Sequence, residues 1–194
     1  CFGGLTAEGE SRAVYVLTLA GNSERVAAAG VLPEDFRPAA ALAYKDEIYI
    51  HGVKDGANAF WRFSPVSGKW TELAACPGAV RSAGPAFVAQ HNGRENAMYL
   101  IGGRHEKGGE LQLYSDVWEY LPVHDRRQAK GDVTIGGKPV VVMYAAAVPY
   151  GSGHVLVFGG DDGRELQHRA ALERAIGGAA TSQEADSLRG QLRE

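Results

Sequence analysis

A hydrophobic run that ends in a pair of glycines returns at near-constant intervals along these 194 residues. Cys1-Phe2-Gly3-Gly4, Tyr99-Leu100-Ile101-Gly102-Gly103 and Val155-Leu156-Val157-Phe158-Gly159-Gly160 are three copies. Tyr49-Ile50-His51-Gly52 is a fourth, with His51 in the first glycine's place. Gly4 to Gly52 is 48 residues, Gly52 to Gly103 is 51, and Gly103 to Gly160 is 57. Internal repeats of roughly 40–50 residues made of short strands are the signature of small sheets stacked around an axis. This repeat constrains the architecture before any single residue is weighed.

The remainder of the unit repeats as well. Phe60-Trp61-Arg62-Phe63 follows Gly52, Asp116-Val117-Trp118-Glu119-Tyr120 follows Gly103, and Val14-Tyr15-Val16-Leu17 follows Gly4. Aromatic and β-branched residues bounded by turn residues read as strands. Each unit restarts alike. Leu32-Pro33 leads to Arg37 and Pro38-Ala39-Ala40-Ala41-Leu42, and Cys76-Pro77 leads to Arg81 and Ser82-Ala83-Gly84-Pro85-Ala86-Phe87. The order is a small-residue strand, an apolar strand with its glycines, an aromatic strand and a tryptophan strand, which is the four-stranded blade of a β-propeller. The expected fold class is therefore all-β, a segment of a kelch-type propeller of about three blades' worth of antiparallel sheets with a C-terminal helical insertion.

Several segments together resemble one branch of kelch propellers. Leu32-Pro33 to Arg37, Trp61, Trp70 with Thr71-Glu72-Leu73-Ala74-Ala75, and Pro77-Gly78 to Arg81 look like the opening blades of bacterial N-acetylneuraminate epimerases, the sialic-acid mutarotases. Gln90-His91-Asn92-Gly93-Arg94-Glu95-Asn96 and Gly159-Gly160-Asp161-Asp162-Gly163 resemble the cyclically permuted mutarotases. The resemblance covers nearly the whole chain. It implies an isomerase of carbohydrate metabolism that interconverts the anomers of N-acetylneuraminic acid, without a cofactor, in a periplasmic or secreted bacterial location. In that family the acid/base glutamate lies in a Gly-Glu segment beyond the helical insertion, and no residue of this chain matches it. The alternative is a non-catalytic kelch propeller that binds a protein or a glycan.

Counting strands divides the chain into residues 1–32 as the outer half of a blade, 33–77 and 78–143 as complete blades, 144–163 as the inner half of a fourth, and 164–194 as the insertion. A closed propeller needs at least four blades, so the chain reads as a segment of a longer, six-bladed polypeptide, or as one that a second chain completes. Cys1 falls inside a second strand of the repeat and reads as a strand residue, not as a lipid-bearing first residue. Within the insertion, Leu166, Ala170, Leu172 and Ile176 are helically spaced up to a break at Gly177-Gly178. Thr181 with Glu184 then forms a capping box ahead of Ala185, Leu188 and Leu192. This pair is either a solvated linker or a wall beside the central cavity.

Net charge is −3 with acids and bases interspersed, so no basic stripe argues for nucleic acid. No apolar run approaches the roughly 18 residues of a membrane span. Two cysteines make no disulfide framework, and the six histidines show no metal-ligand spacing.

Strand direction alternates within a blade, so connections between blades share one face with the second-to-third turns. Arg37, Val53, Arg81, Arg104 and Asp161 are expected to ring that mouth. The candidate substrate-binding residues are Arg81, Arg37, Arg104 and Asp161. A guanidinium fork suits bidentate capture of a carboxylate, which sialic acid carries on its anomeric carbon. The competing reading of Arg81 is a tie between blades, to an acid or to backbone carbonyls.

Overall fold

The computed structural model describes residues 1–21, 23–179 and 181–192. The strands form successive small antiparallel sheets. The first holds β1 (Phe2–Thr6), β2 (Gly9–Ala20) and β3 (Ser23–Val31). The second holds β4 (Phe36–Tyr44), β5 (Glu47–Lys54), β6 (Ala57–Phe63) and β7 (Trp70–Glu72). The third holds β8 (Ala86–His91), β9 (Asn96–Lys107), β10 (Glu110–Leu121) and β11 (Arg126–Asp132). Next comes a miniature hairpin, β12 (Thr134–Ile135) and β13 (Lys138–Pro139), then a two-stranded sheet of β14 (Ala146–Tyr150) and β15 (His154–Phe158). Two helices close the chain, α1 (Arg164–Gly178) and α2 (Ser182–Gln191).

Alternation along the strands explains how these sheets hold together. Successive residues of a strand point to opposite faces, and here both faces of the middle sheets are buried. Ile50, Ala59 and Phe63 join Val14, Leu32 and Phe36 in the layer between the first and second sheets, flanked by Phe2 and Trp70. Tyr49 and Phe60, one step along the same strands, face the other way and meet Met98 and Tyr120 of the third sheet. Ala86, Val88, Ile101 and Val142 then pack against β14 and β15 through Ala147 and Val155. The core is three face-to-face layers. In contrast, Tyr15, Leu17, Leu19 and Val26 of the first sheet and Leu156 and Phe158 of the last are exposed.

The glycine pairs exist because backbones pass close together. A Cβ on Gly102 would lie 2.1 Å from the Val142 carbonyl oxygen, and one on Gly52 would lie 2.2 Å from that of Arg37. Gly102 also has φ +59°, in the region that glycine adopts without strain. Helix α1 runs through Gly177 and Gly178, where a break was expected, and the chain turns extended only at Ala179. Glycine lowers helix propensity but fits a final turn, so the break falls one residue late. Thr181 caps α2, its hydroxyl accepting from the Glu184 amide at 3.2 Å.

Candidate functional site

Connections β3–β4, β5–β6, β7–β8 and β9–β10 converge at one end of the sheets. They enclose a cleft of about 720 Å³ whose lining includes Glu34, Arg37, Asp55, Ser82, Glu106 and Lys107. A second hollow of about 560 Å³ lies at the next sheet, against Val133, Val142, Gly160 and Asp161. Charged residues of both signs line the first.

Each predicted residue has a distinct fate. Arg37 lines the cleft with a largely exposed side chain, its Nε 3.2 Å from Glu10. Arg81 is fully buried. Its Nε donates to the Gly102 carbonyl at 2.9 Å, one terminal nitrogen donates to Ala79 at 3.0 Å, and the other pairs with Asp116. The guanidinium also lies 4.8 Å from the Tyr114 ring centre. Asp116 in turn accepts from the Trp118 indole at 2.7 Å. Arg81 therefore sits beneath the mouth, joining the segment ahead of β8 to β9 and β10.

The ladder explains why Arg37 and Arg81 differ. Arg37 pairs with Val53, Ala83 with Arg104, and Met143 with Asp161, so the first member of each pair occupies one repeated place opposite the residue after the glycines. Arg81 precedes that place by two residues. The spacing from the prolines suggested an equivalence that the register does not contain.

Arg104 stands at the mouth with its side chain about one-fifth exposed. Its Nε donates to the Tyr144 hydroxyl at 3.0 Å, and one terminal nitrogen donates to Glu106 at 3.0 Å. The tyrosine bond above all, and Glu106 after it, raise the Arg104 pKa and keep the group charged. Its other terminal nitrogen has no partner among the described residues. Asp161 borders the second hollow, and its Oδ1 accepts from the Gly163 amide at 2.6 Å. Asp162 accepts from the amide and the side chain of Arg164, while Gly163 holds the cap position of α1.

Glu106 and Tyr144 did not emerge from the sequence. Glu106 was legible in principle, because Arg104 and Glu106 lie two apart on β9 and so share a face. Tyr144 had no such signal, since this copy of the repeat keeps its proline, Pro139, but has Met143 four residues on where Arg37 follows Pro33. Of the histidines, His105 reaches the cleft and contacts the Ser82 hydroxyl at 3.1 Å, whereas His51 is buried between sheets. Among the described residues no group of three or more His, Cys, Asp or Glu could hold a metal ion, and no helix is long and apolar enough to cross a membrane.

No family model and no curated protein matches this chain. Among solved structures it is similar to that of YjhT, with a TM-score of 0.57 and 20% identity over 82% of this chain. The fold is a propeller-like all-β fold. The chain spans 43% of the length of YjhT, and at this identity the likeness concerns the fold alone. In a propeller, the end where first strands begin and second strands turn opens on the central channel. The cleft and Arg104 lie at that end.

Proposed function

We propose that this chain is part of a carbohydrate mutarotase and supplies the wall that holds the carboxylate of N-acetylneuraminate. Arg104 carries the reading. It is a charged fork at the channel mouth, fixed through two nitrogens and free at the third. A pre-oriented guanidinium loses less entropy when it takes a carboxylate than a free one does. Arg37, exposed on the cleft wall, is a second cation for the same ligand. Asp161, at the adjoining hollow, is an acceptor for sugar hydroxyls. Arg81 supports the wall from below.

Mutarotation opens a hemiketal ring and recloses it on the other face. One group removes the proton of the anomeric hydroxyl and another protonates the ring oxygen, which positioned side chains accomplish. In this reading the catalytic glutamate comes from outside these residues, and the setting is periplasmic or secreted. Calorimetric titration with N-acetylneuraminate tests it. We expect binding by the wild-type chain and a loss of about 1.5–3 kcal/mol in Arg104→Ala, as for a hydrogen bond to a charged group. Equal affinity in the two proteins would exclude Arg104 as the carboxylate ligand.

One observation favours a second reading, a non-catalytic propeller that binds a protein. Glu10, Glu34, Asp35, Asp55 and Glu106 outnumber Arg12, Arg37 and Lys107 around the cleft, a balance that suits a basic peptide. A lysine-rich peptide that binds where the sugar does not would decide for it.

A further inference from the structure

We infer that Tyr144 is the residue that aims Arg104 and offers the ring of an acidic sugar an aromatic wall. The inference rests on the reading of Arg104 as a carboxylate ligand. Tyr144 has φ +52°, a left-handed conformation that bulky residues rarely adopt. Such strain persists only where the surroundings impose it, and the surroundings here are specific. The Tyr144 amide donates to the Gly84 carbonyl at 2.8 Å. A Cβ on Gly84 would lie 3.1 Å from the tyrosine ring, so the absent side chain leaves room for that ring. Next door, Met143 is bridged to Asp161. These contacts bring the hydroxyl within 3.0 Å of Arg104 Nε.

Tyr144 nevertheless remains 55% exposed as a residue. An aromatic that is held this firmly and left uncovered presents an apolar face with a polar tip, the combination that suits a recognition surface. Tyr144 and Arg104 stand between the two hollows in the chain's connectivity without lining either, and residues beside Tyr144 and beside its contacts do line them. Val142 belongs to the smaller one, and Ser82, His105 and Glu106, which flank Gly84 and Arg104 in the chain, belong to the larger. A sugar acid fits this pair, its carboxylate on the free nitrogen of Arg104 and the C–H face of its ring on Tyr144. Glu106, accepting from a terminal nitrogen at 3.0 Å, gives the guanidinium a second anchor.

Tyr144→Phe removes the hydroxyl and keeps the ring, and Tyr144→Ala removes both. Two readouts on the full chain separate the positioning claim from the function claim. The first needs no ligand: the NMR signal of Arg104 Nε–H and its exchange with solvent. We expect a resolved, slowly exchanging signal in the wild type and fast exchange in Tyr144→Phe. Unchanged exchange would overturn the positioning role. The second is affinity for N-acetylneuraminate, with N-acetylglucosamine as a ring lacking the carboxylate. Tyr144→Phe is expected to weaken the acid about tenfold, one hydrogen bond's worth, and to leave the neutral sugar unaffected. Tyr144→Ala is expected to weaken both sugars, and undiminished binding there would overturn the wall. If neither sugar binds the wild type, the assigned ligand is wrong and the wall with it, while the exchange measurement still decides whether Tyr144 aims Arg104.

Discussion

His51 stands in a glycine's place, and burial has consequences for its proton. Loss of water around the imidazole, with the charges of Arg127 and Arg81 nearby, lowers its pKa from 6.5 to about 3. Between those values the folded chain binds fewer protons than the unfolded chain. Its contribution is therefore complete above pH 6.5 and is lost as pH falls toward 3, by up to about 1.4 kcal/mol per unit. Melting temperatures from pH 7 to pH 5 are expected to fall in the wild type and to fall less steeply in His51→Gln; parallel curves would contradict this origin. Arg81 makes a different prediction. Removing the guanidinium leaves the buried Gly102 carbonyl without its donor, while Asp116, one-third exposed, can turn to water, so Arg81→Ala is expected to cost about 1–3 kcal/mol in urea unfolding. Arg81→Lys should recover part of that loss. A variant as stable as the wild type would return Arg81 to the list of ligand groups. The sequence marked Arg81 as special but left open whether it ties the structure or binds a ligand, because spacing from a proline does not say which way a side chain points.

The glycine-pair turns and the connection at 133–145 set the shape of the mouth. Gly102 illustrates how tightly, since the amide of Gly103 donates to Val142 at 2.7 Å over the space where a Gly102 side chain would stand. Gly108 has nearly the same φ, +60°, but open space around it. Both alanine variants suffer the left-handed backbone penalty of roughly 1–2 kcal/mol, and only Gly102→Ala also displaces the connection. Its melting point is expected to drop well below that of Gly108→Ala; equal drops would mean that the contact with Val142 is unimportant. At this scale the strands were readable, because aromatic and β-branched runs between turns mark them directly. The helix cap at Thr181 was readable from its spacing to Glu184. The hairpin of β12 and β13 was not. Four residues in two short strands carry no period, and the hairpin is anchored at its base, where the Val133 amide donates to the Ser115 carbonyl and the Val140 amide to the Val133 carbonyl.

Over the whole molecule, the repeat interval made the stacked sheets legible, because a unit that cannot bury both faces alone must stack on its neighbours. The mouth was legible as a face and only partly as a set of residues. Strand direction places the connections, but Arg104 is held by Tyr144, 40 residues away, which no local pattern predicts. The exposed faces of the first and last sheets carry Tyr15, Leu17, Leu19, Leu156 and Phe158. Large apolar surface of this kind seeks cover, so the isolated chain is expected to associate as its concentration rises, and light scattering that reports a monomer throughout would contradict this. The central claim is that an acidic sugar binds at the channel mouth. Mapping amide shifts while N-acetylneuraminate is added tests it most directly. Changes are expected at residues 34–37, 53–56, 82–84, 104–107 and 143–145 and nowhere else. Changes at the opposite end, around 92–95 and 122–125, or none at saturating sugar, would contradict it.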